Sequence, residues 1–421
     1  MRWLLPLLLC CLTSTVRADD PPTPFGFGDF TWMNGQSRQK DFPLQFNKAL
    51  TLSVYVDAYY AFSLNRPYDD TLTGSATLSR HNELQINLAS IGMEWNYRNV
   101  IGRLSLQYGT MINIVQDQDG SVGRGSGISA ANLRYIREAT LGYHWDRAAG
   151  INLEAGIFLS YIGLESYLLA ENWLYTRSIA CDSTPFYFQG LRAQYFPNVK
   201  WKLEAWLMNG WQTYAKWSFA PAGGLSIRYS PYEWLTVIAT FYTGADTKGE
   251  PGRVRFHHDD SVSLRMFNRP LSRGLSKLAM SINNHFGFEQ GGNGPGLRNA
   301  YVGATAIALR AWFDRDYVAL TVRGEYFTNP SRYLAVFPPS TLATEPGNQL
   351  SIVGVTANVE LMPTDFFSVR AEVNYRHSDV PYFAGPDGTT SPSGFLPTVA
   401  GFVPNVRKDQ TLLILAANFR L

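Results

Sequence analysis

Between Leu50 and Ser63 the sequence LTLSVYVDAYYAFS alternates at every position. Leu50, Leu52, Val54, Val56, Ala58, Tyr60 and Phe62 share one parity, and Thr51, Ser53, Tyr55, Asp57, Tyr59, Ala61 and Ser63 the other. A period of two is the mark of a β-strand with one apolar and one polar face. Strands in soluble domains usually run to about 5–6 residues. A strand this long, greasy along its whole length on one side, raises the question of whether protein or lipid covers it.

The pattern recurs along the chain. About 16 segments carry it, near 50–63, 84–97, 100–114, 133–145, 151–163, 185–196, 201–213, 223–230, 234–243, 261–267, 276–288, 300–313, 317–328, 349–361, 366–377 and 409–421. The weakest are 84–97, whose apolar parity flips around Ser90 as a β-bulge would cause, and the short 223–230 and 261–267. Counts of 14 to 18 stay open. Short connections alternate with long ones: 64–83, 115–132, 164–184, 244–260, 329–348 and 378–408 are long, 214–222 and 289–299 of middling length, and 268–275 is the one connection longer than its place predicts. Sandwiches and propellers give no reason for every second loop to be long. A transmembrane antiparallel up-and-down β-barrel does, with short periplasmic turns and long outer loops. Only a closed ring satisfies backbone polar groups where the bilayer offers no water.

The N-terminus agrees with export. Arg2 precedes the apolar run Trp3 to Leu12, and Val16 and Ala18 are small residues at the positions a signal peptidase reads, so residues 1–18 are expected to be a signal peptide. Cys10 and Cys11 fall inside it, leaving Cys181 without an intramolecular disulfide partner. Charged residues are only 17% and aromatics 14%, yet nothing after the signal reaches the roughly 18 apolar residues of a membrane helix. Without the two signal arginines, 34 basic residues balance 34 acidic ones, and no nucleic-acid partner is implied. Residues 19–48 are polar and turn-rich and are placed in the periplasm or the lumen; the barrel takes 49–421.

Four blocks are distinctive together: DFTWMNGQSRQ at 29–39, GIFLSYIGLESYLLAENWLY at 156–175, NGWQTYAKW at 209–217 and PGRVRFHHDDS at 251–261. They resemble the OmpL-like β-barrel porins, over almost the whole chain from residue 29 on. The resemblance implies an outer-membrane channel. The terminal Leu421 departs from the aromatic that ends many such barrels, and Phe419 is expected to share that role.

Sixteen strands enclose more space than side chains fill, leaving an aqueous channel. Charged residues on the polar parities are the pore-lining candidates: Asp57, Arg103, Arg134, Glu138, Glu154, Lys202, Glu204, Arg323, Glu325, Glu360, Arg370 and Glu372, with Arg310 on a weakly alternating strand. Opposed basic and acidic rows would set a transverse field across a pore; equally, they pair across strands and stiffen the wall. The third long connection, 164–184, has apolar residues at helical spacing and is expected to form a short helix and fold inward, as such a loop does in general porins. Glu165, Glu171, Trp173, Tyr175 and Arg177 are its constriction candidates.

Other chemistry is weaker. Arg255 to Asp260, RFHHDD, reads as a hydrated outer loop rather than a metal site, because neighbouring residues of an extended chain point in opposite directions. A hydrolase would need a nucleophile near a base; Ser160 and His144 lie toward opposite ends of a hairpin, and no GxSxG occurs. Trp173, Tyr175, Trp206, Trp211, Tyr214 and Trp217 could stack sugars, whereas Trp95, Trp145, Trp201 and Trp234 sit near turns and fit the aromatic girdle. The expectation is a non-enzymatic porin for passive diffusion of small hydrophilic solutes or ions, without cofactor or metal. The alternatives are a structural or adhesive barrel without conductance and a sugar-selective channel. Expected partners are outer-membrane lipids, the barrel-assembly machinery and the solutes, with a homo-oligomer left open.

Overall fold

The two parities meet two different surroundings. The computed structural model describes residues 22–121, 127–128, 130–292, 300–331, 334, 350–389, 391–395 and 399–421. The expected signal peptide, 1–18, lies outside the described residues. In Ser351–Thr364, Val353, Val355, Val359 and Leu361 are 40–55% exposed, while Glu360 between the last two is 0% exposed. A soluble sheet does the reverse. Exposed aliphatic rows around buried charges suit a wall with lipid outside.

Sixteen long strands form that wall among the described residues: β1 Leu50–Ser63, β2 Leu84–Tyr97, β3 Val100–Tyr108, β4 Ile136–Trp145, β5 Ile151–Leu159, β6 Tyr187–Tyr195, β7 Trp201–Met208, β8 Ala222–Tyr232, β9 Leu235–Gly244, β10 Arg253–Asn268, β11 Leu275–Gly291, β12 Tyr301–Phe313, β13 Val318–Thr328, β14 Ser351–Thr364, β15 Phe367–Ser378 and β16 Asp409–Arg420. Each is antiparallel to the next, and β16 closes on β1 from Leu412↔Ser63 to Arg420↔Tyr55. A short strand, Gln45–Asn47, adds to the start of β1. Closure leaves no edge of the ring unpaired.

Turns at one end are tight. Arg98 and Asn99 both have positive φ, 49° and 67°, the two-residue hairpin geometry that matches strand twist. Exposed Tyr143, Trp145, Tyr232 and Trp234 border this end, with Tyr232 and Trp234 stacked, and form the aromatic belt expected at a membrane interface. The connection 269–274 is the longest of the short turns.

Several boundaries differ from the sequence reading, each for a local reason. β3 stops at Tyr108, because Gly109 turns the chain (φ 134°) into a helix, α1 (Met111–Asp117), whose Met111, Ile112 and Val115 are buried at helical spacing. Ala130–Leu133 is a helical turn, so Arg134 precedes β4 instead of standing on it. β5 and β7 end at Leu159 and Met208, short of 163 and 213. The expected bulge in β2 is present: Leu88 pairs with Asp57 and Ile86 with Ala58, leaving Asn87 extra and both Asn87 and Leu88 buried. The largest correction is β10. RFHHDD is not loop but strand, paired residue by residue with β9 and β11. Its alternation was hidden because His258 and Asp260 break the apolar parity.

Candidate functional site: the barrel lumen

The segment 160–186 leaves β5 and returns to β6, yet its hydrogen bonds go to strands across the barrel. The Tyr175 hydroxyl donates to Asp57 of β1 at 2.9 Å. The backbone N–H groups of Tyr175 and Thr176 donate to the Glu372 carboxylate at 2.6 and 3.0 Å, and that of Ile179 to Glu325 at 2.9 Å. The loop therefore spans the interior. It holds only a 3-10 turn, Leu169–Glu171, and a short helix, α2 (Ile179–Asp182), so the helix expected there shrinks to two single turns.

An irregular loop inside a barrel leaves carbonyl oxygens without partners. Four arginines supply them. Arg310 donates to Trp173 O (2.8 Å), Arg323 to Thr176 O (2.7 Å), Arg370 to Leu169 O and Asn172 O (both 2.8 Å), and Arg376 to Arg177 O (2.9 Å). A guanidinium presents five donors in a rigid fork, which lets one side chain serve several carbonyls and a carboxylate together. Their charge is matched by Glu325, Glu360 and Glu372 on the same wall. Glu360 sits among three guanidinium groups, Arg38 at 2.6 Å, Arg310 at 2.5 Å and Arg370 at 3.0 Å.

Glu360→Gln would leave those three cations facing one another without their counter-charge. Breaking a buried pair from one side costs about 3–5 kcal/mol. The variant is expected to unfold at a clearly lower urea concentration, read by the heat-dependent shift of the barrel on gels; an unchanged midpoint would refute the assignment.

The sequence candidates thus divide into two walls. Asp57, Arg310, Arg323, Glu325, Glu360, Arg370 and Glu372 lie buried beneath the loop. They do not line open space, because the loop backbone covers them. Within the loop, Glu165 pairs with Arg323 at 2.9 Å, Glu171 accepts from Ser166 Oγ at 2.7 Å, and Arg177 lies over the Phe186 ring and near Asp182. Trp173 packs edge-on against Trp312 and donates to Trp32 O, so it fills a core instead of facing a passage. Burial raises the carboxyls of Glu171 and Asp182 above their usual range and pushes the Cys181 thiol up to about 12, leaving it neutral and unreactive.

The other wall is less covered. Arg103 pairs with Glu94 (3.1 Å) and Glu138 (3.5 Å), Glu154 with Arg192 (2.5 Å), and Glu204 with Lys202 (3.2 Å) and Gln194 (2.6 Å). Arg134, off its strand, reaches Asp117 at 3.5 Å. Two cavities open here. One of about 280 Å³, near the tight turns, is lined by Lys48, Glu94, Arg103, Glu154 and Arg192. The other, of about 220 Å³, lies between the loop and strands β7–β10, among Gln36, Glu165, Arg177, Lys202, Glu204, Arg228 and Asp259.

Beneath the loop lies the N-terminal segment. Phe25 N donates to Val199 O, Trp32 Nε1 to Glu233 O, Gly35 N to Glu171 O and Trp173 N to Asn34 Oδ1. Residues 25–38 thus run from the turns after β6 and β8 to Glu360 on β14. Gly35 has φ +75°, and a Cβ there would meet Leu164 O at 2.0 Å, so only glycine lets this segment pass the loop.

Sequence reasoning missed Glu94, Arg192, Arg228 and Arg376, all of which stand on polar parities and could have been found. Arg137 shares the parity of Tyr135, Ala139 and Leu141, which by strict alternation would face lipid. It is a bulge, since Ser105 pairs with Glu138 and Leu106 with Ile136, and its guanidinium turns in to Ser90 and Ser105. His144 and Ser160 are not brought together: His144 binds Asn152 and Asp146, and Ser160 Oγ accepts from Ile162 N. Among the described residues no group of His, Cys, Asp and Glu could hold a metal ion.

A protein-family model described as "Putative beta-barrel porin-2, OmpL-like" matches residues 49–421. No curated protein matches the chain. Among solved structures, OprB of Pseudomonas putida at high pH covers 89% of this chain and 94% of its own at 10% identity, with a TM-score of 0.53. The anion-selective porin from Comamonas acidovorans covers 89% and 99% at 9% identity, with a TM-score of 0.51. At these identities the likeness is one of fold.

Proposed function

This chain belongs to the OmpL-like β-barrel porin family, and from that premise we propose that it is an outer-membrane diffusion channel for small hydrophilic solutes and ions. The observation that carries the reading is the division of the lumen. One wall is sealed by an arginine-clamped loop, and the other presents charged side chains to water-sized space. A structural barrel would have no need to leave charges such as Arg103 and Glu94 partly exposed inside, at side-chain exposures of 38% and 64%.

The solute path runs between the loop and strands β2–β8, narrowed from below by the N-terminal segment. Along the two cavities Lys48, Arg103, Arg177, Arg192, Lys202 and Arg228 face Glu94, Glu154, Glu165, Glu204 and Asp259. Rows of opposite sign orient a polar solute while leaving little net field to favour either ion. The sugar-selective alternative gains nothing here, since Trp173, Tyr175, Trp206 and Tyr214 are buried in packing clusters.

Purified protein in a planar bilayer tests this directly. Small stepwise ohmic openings are expected, with a reversal potential close to zero in a potassium chloride gradient. Persistent electrical silence would overturn the channel and favour a structural or adhesive barrel.

A further inference from the structure

Away from its rims, where pairs such as His377–Asp409 and Thr328–Ser351 stand, the outer wall of the described residues is apolar except in one place. On the far side from β10, the outward residues Ile91, Met93, Leu104 and Leu106 are exposed and uncharged. On β10–β12 the outward row instead holds His258, Asp260, Asn284 and Thr305, joined to one another. His258 Nε2 lies 3.3 Å from Asp260 Oδ2, Asn284 Nδ2 donates to Asp260 Oδ1 at 2.9 Å, and Thr305 Oγ1 donates to Asn284 Oδ1 at 2.9 Å. That these face out follows from the alternation: His257, Asp259, Asn283 and His285 beside them are buried, while the side chains of His258 and Asp260 are 35% and 40% exposed.

The cluster is not at a membrane surface. Asp260 is the eighth residue of the sixteen in β10 and pairs with Ala239, the fifth of ten in β9. Polar and charged groups at mid-height on a lipid face are strongly disfavoured, because acyl chains offer neither hydrogen bonds nor a dielectric to screen charge. The shape of the wall is unusual too. Gly303 and Gly324 take outward positions beside Thr305, and a Cβ on Gly324 would meet nothing within 4 Å. Toward the outer loops an apolar groove of about 510 Å³ opens beside the outward Gly223, bordered by Phe241, Phe256 and Phe286.

We propose that the wall of strands β9–β13, centred on Asp260, is an interface that docks a second copy of this chain within the membrane. The argument for self-association is complementarity. The patch carries an acid and a base side by side, so a twofold axis through it would set His258 of one copy against Asp260 of the other. Covering the cluster with protein also removes it from lipid and offers Asn284 and Thr305 further partners, and the flat glycine surface permits close approach.

Cysteine cross-linking in native outer membranes is the test, with Ile282→Cys beside the cluster and Leu104→Cys on the far wall; the parent Cys181 is buried and serves as the control. Oxidation is expected to give a product of twice the chain mass from Ile282→Cys and none from Leu104→Cys. Asp260→Leu, with Asp260→Asn as the milder variant, is expected to lower the dimer fraction several-fold in native mass spectrometry from mild detergent. No dimer from Ile282→Cys, equal cross-linking from both walls, or a dimer fraction unmoved by either Asp260 variant would overturn the proposal. So would a cross-linked product of another mass, or a monomer carrying bound lipid.

Discussion

Replacing residues 166–178 with a short Gly-Ser linker is expected to raise single-channel conductance several-fold while the barrel still forms. The loop fills the interior between β5–β6 and the wall of β12–β15, and its side chains Trp173, Leu174 and Tyr175 are 0–3% exposed. Removing them opens half of a lumen whose diameter is set by the strand count alone. The ladder that holds the barrel does not pass through the loop, so the wall should survive. What changes chemically is the fate of the guanidinium groups. Arg310, Arg323, Arg370 and Arg376 now donate to loop carbonyls; without the loop they turn to water and to Glu325, Glu360 and Glu372. With Asp57, whose loop partner Tyr175 is also lost, four cations face four anions on the newly wetted wall, so the larger current should keep a reversal potential close to zero. An unchanged conductance in a folded variant would remove the loop from the solute path.

The barrel was legible because lipid and lumen impose opposite demands on alternate residues. Wherever one face meets acyl chains, as at Val353 to Leu361, the parity is clean and the strand could be read to within a few residues. Legibility failed where a bulge shifted the parity, at Asn87 and Arg137, and where the outer face is itself polar, at His258 and Asp260. The lumen was half legible. Parity says which side of a strand a charge takes, but Arg103 and Arg370 look alike in sequence, and only a loop 200 residues away decides that one is covered and the other not. Likewise nothing near Trp32 announces that its carbonyl will meet the indole of Trp173, 141 residues on. Such contacts depend on how loops fold back into the ring, which no local period encodes.

Removal of residues 22–40 is expected to enlarge the conductance as well, and in addition to make it noisy. The segment closes the lumen from the side of the tight turns and holds the loop from below through Asn34 to Trp173 N, Gly35 N to Glu171 O, and Trp32 O to Trp173 Nε1. Losing it removes Arg38 from Glu360 and opens the floor under Trp173, whose packing against Trp32, Met33 and Trp312 is the apolar anchor of that end of the loop. A loop still clamped by arginines above but freed below should fluctuate between arrangements, and the current should report this as flicker absent from the full chain. Gly35→Val separates displacement from deletion. Its Cβ would collide with Leu164 O, which is backbone and cannot step aside, so the segment must leave its track while every residue of it remains. Both variants should therefore share the enlarged, flickering conductance. If the deletion conducts as the full chain does, the segment is not a floor of the passage; if only the deletion differs, the contacts at Gly35 are not what holds it in place.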